Sequence, residues 1–320
     1  MNVYDVVVIG AGPVGLYTGY YCGLRKLNTI ICDSLDTVGG QLSNQYPEKV
    51  IYDLPGFETI TAGEFIQRLD AQISNVEDYV SKKLNFKVVD LINHGEHFEV
   101  KSETDAIFAK SVIVAMGNGS FEPRKMNLFG EDDYKNIHYY VEKKSNYKDK
   151  NVVVLGGGDS AIDWALMLEG VAKSVTLIHR RNEFRAKEGI VERLQKSNVN
   201  IMTPYIPSEL NGDHDTVTSL FVSEVNTKDM VEIEVDEIIV SYGSLSTTNA
   251  IQSWGLDLEG KKIKINQQST TNIPGIFACG DITYYEGREV QIISGLSEGM
   301  MASAAANLYV NEGKRNRPIR

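Results

Sequence analysis

The chain has 320 residues, and its 32 lysines and arginines against 43 aspartates and glutamates give a formal net charge of −11 at pH 7. This acidic balance disfavours nucleic acid and anionic membranes as partners. The length predicts about two domains. A hydrophobic fraction of 42% with 23% charged residues is typical of a globular protein.

The N-terminal region and the cysteines bear on the compartment. The weakly charged stretch 6–20 is rich in glycine, too short to span a bilayer and not preceded by a basic segment. We therefore expect neither a signal peptide nor a transmembrane helix. Cys22, Cys32 and Cys279 form an odd set without a C-x-x-C pair, which argues against a disulfide framework and favours the cytoplasm.

The chain begins with a strand–helix–strand pattern. Apolar runs at 3–9 and 28–32 are typical of buried parallel strands, and a helix is expected between them at about 13–25. A turn of the form G-x-G-x-x-G over 10–15 joins the first strand to the helix. In this context the turn predicts a dinucleotide-binding βαβ unit.

Each residue of this turn has a separate expected task. Gly10 permits the tight turn, Gly12 allows a pyrophosphate to approach, and Gly15 lets the helix pack against the strand. Pro13 opens the helix, whose free N–H groups would face the phosphates. Asp33 ends the second strand, where an acid accepts hydrogen bonds from ribose hydroxyls.

The middle of the first half carries fewer signals of chemistry. Residues 37–60 are expected to form an ordered loop, and 62–76 a helix. Short antiparallel strands are predicted within 85–115, where 98–100 and 106–108 alternate and 111–115 is a buried run. A glycine-rich linker follows at 117–123.

The strand–turn–helix–strand pattern then repeats from residue 151. Strands are expected at 152–155 and 175–178, with a helix ending near 168 between them. The joining turn has the form G-x-G-x-x-A and predicts a second dinucleotide site. Its residues are Gly156, Gly157, Gly158, Asp159, Ser160 and Ala161.

The end of this second unit differs from the first. Arg180 and Arg181 replace the acid, and Arg185 follows closely. Arginines make bidentate, charge-assisted bonds to a 2′-phosphate, so the second cofactor is predicted to be NADP(H). His179 is open to two interpretations, stacking on adenine or capping the strand.

Two different dinucleotide sites in one chain imply electron transfer between two cofactors, and FAD is the expected first one. Gly280 and Asp281 follow a buried strand at 275–278 and precede a helix expected at 295–309. Asp281 would accept from a ribityl hydroxyl or cap a helix. No catalytic side chain and no metal site are predicted, since the flavin N5 carries the chemistry. Without a dithiol, electrons would leave the flavin directly to an external acceptor.

Several motifs together resemble the bacterial ferredoxin–NADP reductases of the thioredoxin-reductase-like type. The resemblance extends over about residues 3–310. The stretches that carry it are 10–15, Gly39-Gly40-Gln41-Leu42 with Tyr46-Pro47-Glu48-Lys49, Gly117-Asn118-Gly119 with Phe121, 156–168, 178–185, Trp254-Gly255-Leu256 and 277–281.

The resemblance implies FAD on the first domain, NADPH on the second and a homodimer. It implies that Asp33 holds the adenosine ribose and that Gln41 and Asp281 reach the ribityl and pyrophosphate region. The remaining implied contacts are Tyr46 stacking on the flavin ring, Phe121 lining it and Val88 touching adenine through its backbone. Family members usually carry an aromatic residue or histidine after this point, over the other flavin face, and 314–320 contains neither. The extension is either absent or cut short, so the second flavin face stays unassigned.

The expected fold class is α/β, with two Rossmann-like dinucleotide-binding domains built on three-layer parallel sheets. The FAD domain would comprise 1–117 and 247–320, and the inserted NADPH domain 118–246. The expected function is electron transfer between NADPH and ferredoxin or flavodoxin. The alternatives are a low-molecular-weight disulfide or quinone reductase and a non-catalytic NADPH-sensing flavoprotein.

The carriers expected as partners are usually acidic, like this chain. Docking therefore requires a local basic patch. The candidates are Arg25/Lys26, Lys82/Lys83, Lys143/Lys144, Lys148/Lys150 and 314–320.

Overall fold

The computed structural model describes residues 2–141, 143–247 and 249–311, with side chains except those of 120–122, 244–247 and 249–250. Within it, the chain separates into two compact units. Unit 1 takes the described residues of Met1–Asn44, Val50–Phe121 and Ser246–Arg320. Unit 2 takes those of Gln45–Lys49 and Glu122–Leu245.

Most of unit 1 comes from the first part of the chain, where strands and helices alternate. Its elements are β1 (Val3–Ile9), α1 (Pro13–Leu24), β2 (Thr29–Cys32), α2 (Gln41–Asn44), β3 (Val50–Ile51), β4 (Ile60–Thr61), α3 (Ala62–Ile73), β5 (Val80–Lys83), β6 (Asp90–Asn93), β7 (Phe98–Lys101) and β8 (Ala106–Val114), followed by β9 (Ser120–Pro123), which ends in unit 2.

Unit 2 follows, and the chain then returns to unit 1. Unit 2 holds β10 (Ile137–His138), β11 (Asn151–Leu155), α4 (Asp159–Leu168), β12 (Ser174–Ile178), α5 (Glu188–Gln195), β13 (Asn200–Met202), β14 (Tyr205–Asp213), β15 (Thr216–Glu224), β16 (Met230–Glu234) and β17 (Glu237–Val240). The returning segment holds β18 (Ser244–Thr247), β19 (Leu258–Glu259), β20 (Lys262–Lys264), β21 (Ile276–Ala278), β22 (Thr283–Tyr284) and α6 (Ile292–Val310).

The main sheet of unit 1 is parallel at its centre and antiparallel at one edge. Its order is β5-β2-β1-β8-β7-β6, and β21 also pairs with β8. The alternating stretch at 106–108 and the buried run at 111–115 form one continuous strand, β8, which corrects the prediction of only short antiparallel strands here. Its first half pairs antiparallel with β7 and its second half pairs parallel with β21, while β1 runs parallel along most of its length.

The centre of unit 1 is apolar and closely packed. Val6, Val7 and Val8 of β1 have no exposed surface. Helices α1 and α6 approach closely because two glycines of α6 face α1. A Cβ on Gly295 would lie 2.6 Å from Val14 Cγ2, and one on Gly299 would lie 2.2 Å from Thr18 Oγ1.

Unit 2 is built on an all-parallel sheet of order β10-β17-β11-β12-β13, joined by the antiparallel set β14-β15-β16. The carboxyl ends of β11 and β12 therefore lie at the same edge, where the second glycine turn begins. No helix among the described residues is long and apolar enough to cross a membrane.

Candidate dinucleotide-binding sites

The first glycine turn has the geometry that a dinucleotide requires. Gly10 has φ of +110°, and a Cβ there would lie 2.5 Å from the Ala115 carbonyl oxygen. A Cβ on Gly15 would lie 1.8 Å from the Gly10 carbonyl oxygen, so only glycine lets α1 begin this close to β1. Gly12 is the N-cap of α1, and no atom lies within 4 Å of its Cβ position. This open space beside free helix N–H groups fits a phosphate.

Asp33 lies against the same turn. It follows β2, and its Oδ2 accepts a hydrogen bond of 2.6 Å from the Ala11 N–H. Its Oδ1 accepts a bond of 2.9 Å from the Leu35 N–H. Each carboxylate oxygen keeps a further lone pair with which it can accept from a ribose hydroxyl.

Gln41 follows a glycine that lies beside the first glycine turn, and Val88 follows a residue that is hydrogen-bonded to Asp33. Gly40, with φ of +56°, would carry a Cβ 3.3 Å from Gly12 Cα, so Gln41 begins α2 beside the glycine turn. Val88 is buried two residues after Phe86, whose N–H donates to the Asp33 carbonyl over 2.7 Å.

Gly280 and Asp281 come from the other end of the chain to the start of α1. Gly280 follows β21, has φ of +80°, and would carry a Cβ 3.4 Å from the Val14 side chain. The Asp281 side chain is 40% exposed. Burial raises the pKa of Asp281, and the positive charges of Arg288 and Lys262 oppose that rise.

Tyr46 lies in unit 2, a grouping that no sequence signal predicts. Its ring packs edge-on against Trp164, with centroids 6.1 Å apart. Lys49 forms an ion pair of 2.9 Å with Asp163 in the same cluster. The side chain of Phe121 lies outside the described residues, as does the tail 314–320.

The second glycine turn repeats the geometry of the first in unit 2. Gly156 has φ of +149°, and a Cβ there would lie 2.5 Å from the Ser241 carbonyl oxygen and 2.9 Å from Ala161 Cβ. Gly158 is the N-cap of α4, Asp159 begins the helix, and Ser160 is exposed in its first turn.

Three exposed arginines follow β12, and one is tied to the turn itself. The Arg185 N–H donates to the Gly157 carbonyl over 2.7 Å. Arg180, Arg181 and Arg185 have no acidic partner within the part of the chain that the structure describes. Their charges are therefore available to a phosphate, which fits the sequence-based assignment of this site to NADP(H).

His179 is packed beneath the second turn. Its ring stacks on Phe184, with centroids 5.5 Å apart and an angle of 21° between the planes. A Cβ on Gly157 would lie 2.3 Å from the ring. Burial lowers the pKa of His179, and the neighbouring arginines lower it further. These contacts pack the imidazole between Phe184 and the second turn.

The three cysteines carry no redox pair. All are free and buried, and burial raises the pKa of each thiol to about 12. Such thiols stay protonated and unreactive near neutral pH. Among the described residues, no cluster of His, Cys, Asp or Glu could hold a metal ion.

Two open helix N-termini, each behind a glycine turn, fit a protein that holds two dinucleotides. A family model described as pyridine nucleotide-disulphide oxidoreductase matches residues 4–306. The chain belongs to this family. The match confirms the α/β class with two Rossmann-like units.

Curated relatives indicate which members of this family the chain is most similar in sequence to among those compared. A ferredoxin–NADP reductase of Geobacillus thermodenitrificans (strain NG80-2) is 40% identical over 319 residues, or 99% of this chain and 96% of the relative. A ferredoxin–NADP reductase 2 of Bacillus subtilis (strain 168) is 42% identical over 320 residues, with the same coverage. The resemblance seen in the sequence is thereby confirmed.

Solved structures agree on the fold. The crystal structure of Lactococcus lactis thioredoxin reductase (FR conformation) has a TM-score of 0.85 at 30% identity, covering 97% of this chain and 99% of that one. The thioredoxin reductase of T. acidophilum has a TM-score of 0.84 at 23% identity, which shows the shared fold alone.

Proposed function

We propose that this chain is an FAD-dependent oxidoreductase that moves electrons between NADPH and ferredoxin or flavodoxin. The observation that carries the proposal is the combination of two nucleotide turns with three inert, buried thiols. This chain has no C-x-x-C, so it lacks the dithiol pair through which electrons would pass from the flavin to a protein disulfide. The curated relatives named ferredoxin–NADP reductase support the same activity.

FAD would occupy unit 1. The open N-terminus of α1 at Gly12 and Pro13 would receive the pyrophosphate, and Asp33 would accept from the adenosine ribose. Asp281 would accept from a ribityl hydroxyl. Gln41 would reach the same region. These contacts would bind and orient FAD. When it is bound, FAD can accept a hydride at N5 and release electrons one at a time.

Three contacts with the flavin ring and with adenine stay predictions. Val88 would meet adenine through its backbone, and Tyr46 and Phe121 would lie at the flavin ring. Tyr46 packs edge-on against Trp164 in this structure.

NADPH would occupy unit 2. Gly156, Gly158 and the N-terminus of α4, at Asp159, Ser160 and Ala161, would receive its pyrophosphate. Arg180, Arg181 and Arg185 would hold the 2′-phosphate, a group that NADH lacks. We assign His179 a packing role under Gly157, since Phe184 covers one face of its ring.

The assembly and compartment are part of the proposal. Three free thiols fit a reducing compartment, and we propose the cytoplasm. By its resemblance to the family, we propose a homodimer.

The test is reduction of cytochrome c by NADPH and the purified holoenzyme, with and without added ferredoxin. We expect reduction to depend strictly on ferredoxin, because the carrier and not the flavin meets the cytochrome. Flavodoxin is measured side by side. A direct dye assay serves as the control, since any reduced flavin reduces dyes.

Other outcomes would select the alternatives. Faster turnover with a small disulfide or quinone than with either carrier would favour a reductase of those substrates. Failure of NADPH to bleach the flavin absorbance in a single turnover would favour the sensing module and end the enzymatic proposal.

A further inference from the structure

A buried ion pair in unit 1 lies behind the proposed flavin contact Asp281. Arg288 precedes α6, and Glu298 lies within α6. Their side chains are 3% and 7% exposed. Arg288 Nε donates to Glu298 Oε1 over 2.7 Å, and Nη2 donates to Oε2 over 3.3 Å. Neither residue has a role in the assignments above.

Glu298 also holds the turn that carries Asp281. Its Oε2 accepts a hydrogen bond of 2.7 Å from the Gly280 N–H and lies 3.0 Å from the Thr283 hydroxyl. That hydroxyl is also 2.7 Å from the Gly280 carbonyl oxygen. One carboxylate thus fixes both ends of the turn, with Asp281 between them.

The guanidinium of Arg288 lies close to the carboxylate of Asp281. Nη2 lies 3.7 Å from Asp281 Oδ1. The charged groups around this carboxylate are Arg288 before α6, Lys262 on β20 and Glu298 on α6. Burial and Glu298 disfavour its ionised form, while Arg288 and Lys262 favour it.

The pair is a costly way to join α6 to a turn. Arg288 Nη1 is buried and has no hydrogen-bond partner among the described residues. A buried donor left unpaired costs about 1–3 kcal/mol. A buried ion pair adds little net stability over apolar residues of similar volume. Structural support alone therefore does not explain why charged residues occupy positions 288 and 298.

We propose that Arg288 and Glu298 are positioning residues for FAD: Glu298 holds the Gly280–Thr283 turn, and Arg288 keeps Asp281 ionised to accept from the cofactor. The inference rests on the proposed assignment of Asp281 as an FAD ligand. An ionised acceptor makes a stronger hydrogen bond than a neutral one, so loss of Arg288 weakens FAD binding most where Asp281 takes up a proton.

The test follows FAD release from the purified holoenzyme during acidification, by the gain in flavin fluorescence. We compare Arg288→Met, Arg288→Lys and Glu298→Gln with the exposed helical pair Arg68→Met and Glu64→Gln as controls. In Arg288→Met we expect half-release about one pH unit higher than in the wild type and FAD binding about tenfold weaker at neutral pH. Arg288→Lys should restore most of both, and the controls should match the wild type.

Glu298→Gln should bind FAD more weakly than the wild type, because the turn loses a charged acceptor. The inference is overturned if Arg288→Met releases FAD at the wild-type pH and Glu298→Gln binds FAD as tightly as the wild type. It is equally overturned if release moves only in parallel with the thermal unfolding temperature, as a purely structural role requires. If Arg288→Met does not fold, Arg288→Gln takes its place and the same criteria apply. Asp281→Ala separates the two hypotheses, because it removes both acceptor oxygens, and wild-type affinity in that variant would refute the FAD assignment of Asp281 itself.

Discussion

The arginines after β12 are the residues on which nucleotide choice depends. Replacing Arg180 and Arg181 by glutamine removes two charge-assisted donors from the 2′-phosphate site. Such bonds contribute about 1.5–3 kcal/mol each, so we expect KM for NADPH to rise about tenfold or more while KM for NADH changes little. Steady-state kinetics with both nucleotides measure the ratio.

Arg25→Gln is the matched control for this prediction. Arg25 is also exposed but lies in unit 1 at the C-terminal end of α1, the end opposite the first glycine turn. It should leave both KM values unchanged. An unchanged NADPH-to-NADH ratio in the double variant would contradict the assignment of the site to NADPH.

Residue-level prediction from the sequence works where a motif fixes the backbone. The glycine turns could be predicted because positive φ at Gly10 and Gly156 and close approach at Gly15 admit no other residue. Arg288 and Glu298 could not be predicted, since ten residues of loop and helix separate them and their pairing depends on how α6 packs. Local motifs carry the first kind of information, and only tertiary packing carries the second.

Among the strands and helices, too, local motifs could be predicted from the sequence, whereas features that depend on tertiary pairing could not. The continuous strand β8 was missed because its two halves pair with different partners, and each half alone has the alternation or apolar run of a separate strand. Its sequence contains no glycine or proline to mark a turn between 108 and 111. The absence of a turn signal was the observation that could have identified one strand.

The contact between α1 and α6 makes a prediction about stability. In Gly299→Ala the added methyl group would meet the buried Thr18, whose hydroxyl already donates to the Val14 carbonyl over 2.7 Å. Overpacking of this kind costs about 1–3 kcal/mol. We therefore expect a lower unfolding temperature by circular dichroism and easier release of FAD on heating.

Gly189→Ala provides the opposite case. Gly189 lies in α5, and no atom lies within 4 Å of its Cβ position. Alanine favours a helix over glycine by about 0.8–1 kcal/mol, so this variant should be at least as stable as the wild type. If both variants behave alike, the close approach of α1 and α6 does not limit stability.

For the whole molecule, the net charge of −11 meets a proposed partner that is itself acidic. Some cations of the candidate docking patches form ion pairs with acidic residues of this chain. Lys82 pairs with Asp70 over 2.5 Å, Lys83 pairs with Asp105, and Lys150 pairs with Glu237. Candidate cations with no ion-pair partner among the described residues are Arg25, Lys26, Lys143, Lys144 and Lys148.

These unpaired cations predict how carrier reduction responds to salt. Attraction between exposed charges is screened beyond about 10 Å at 0.1 M ionic strength, so kcat/KM for ferredoxin should fall several-fold as salt rises from low to physiological concentration. Turnover with an uncharged dye should not change.

Lys143→Glu with Lys144→Glu tests one patch, and Arg25→Glu with Lys26→Glu tests the other. The variant that flattens the salt dependence identifies the docking patch, whereas salt-independent reduction in the wild type would turn the acidic balance against ferredoxin as the partner.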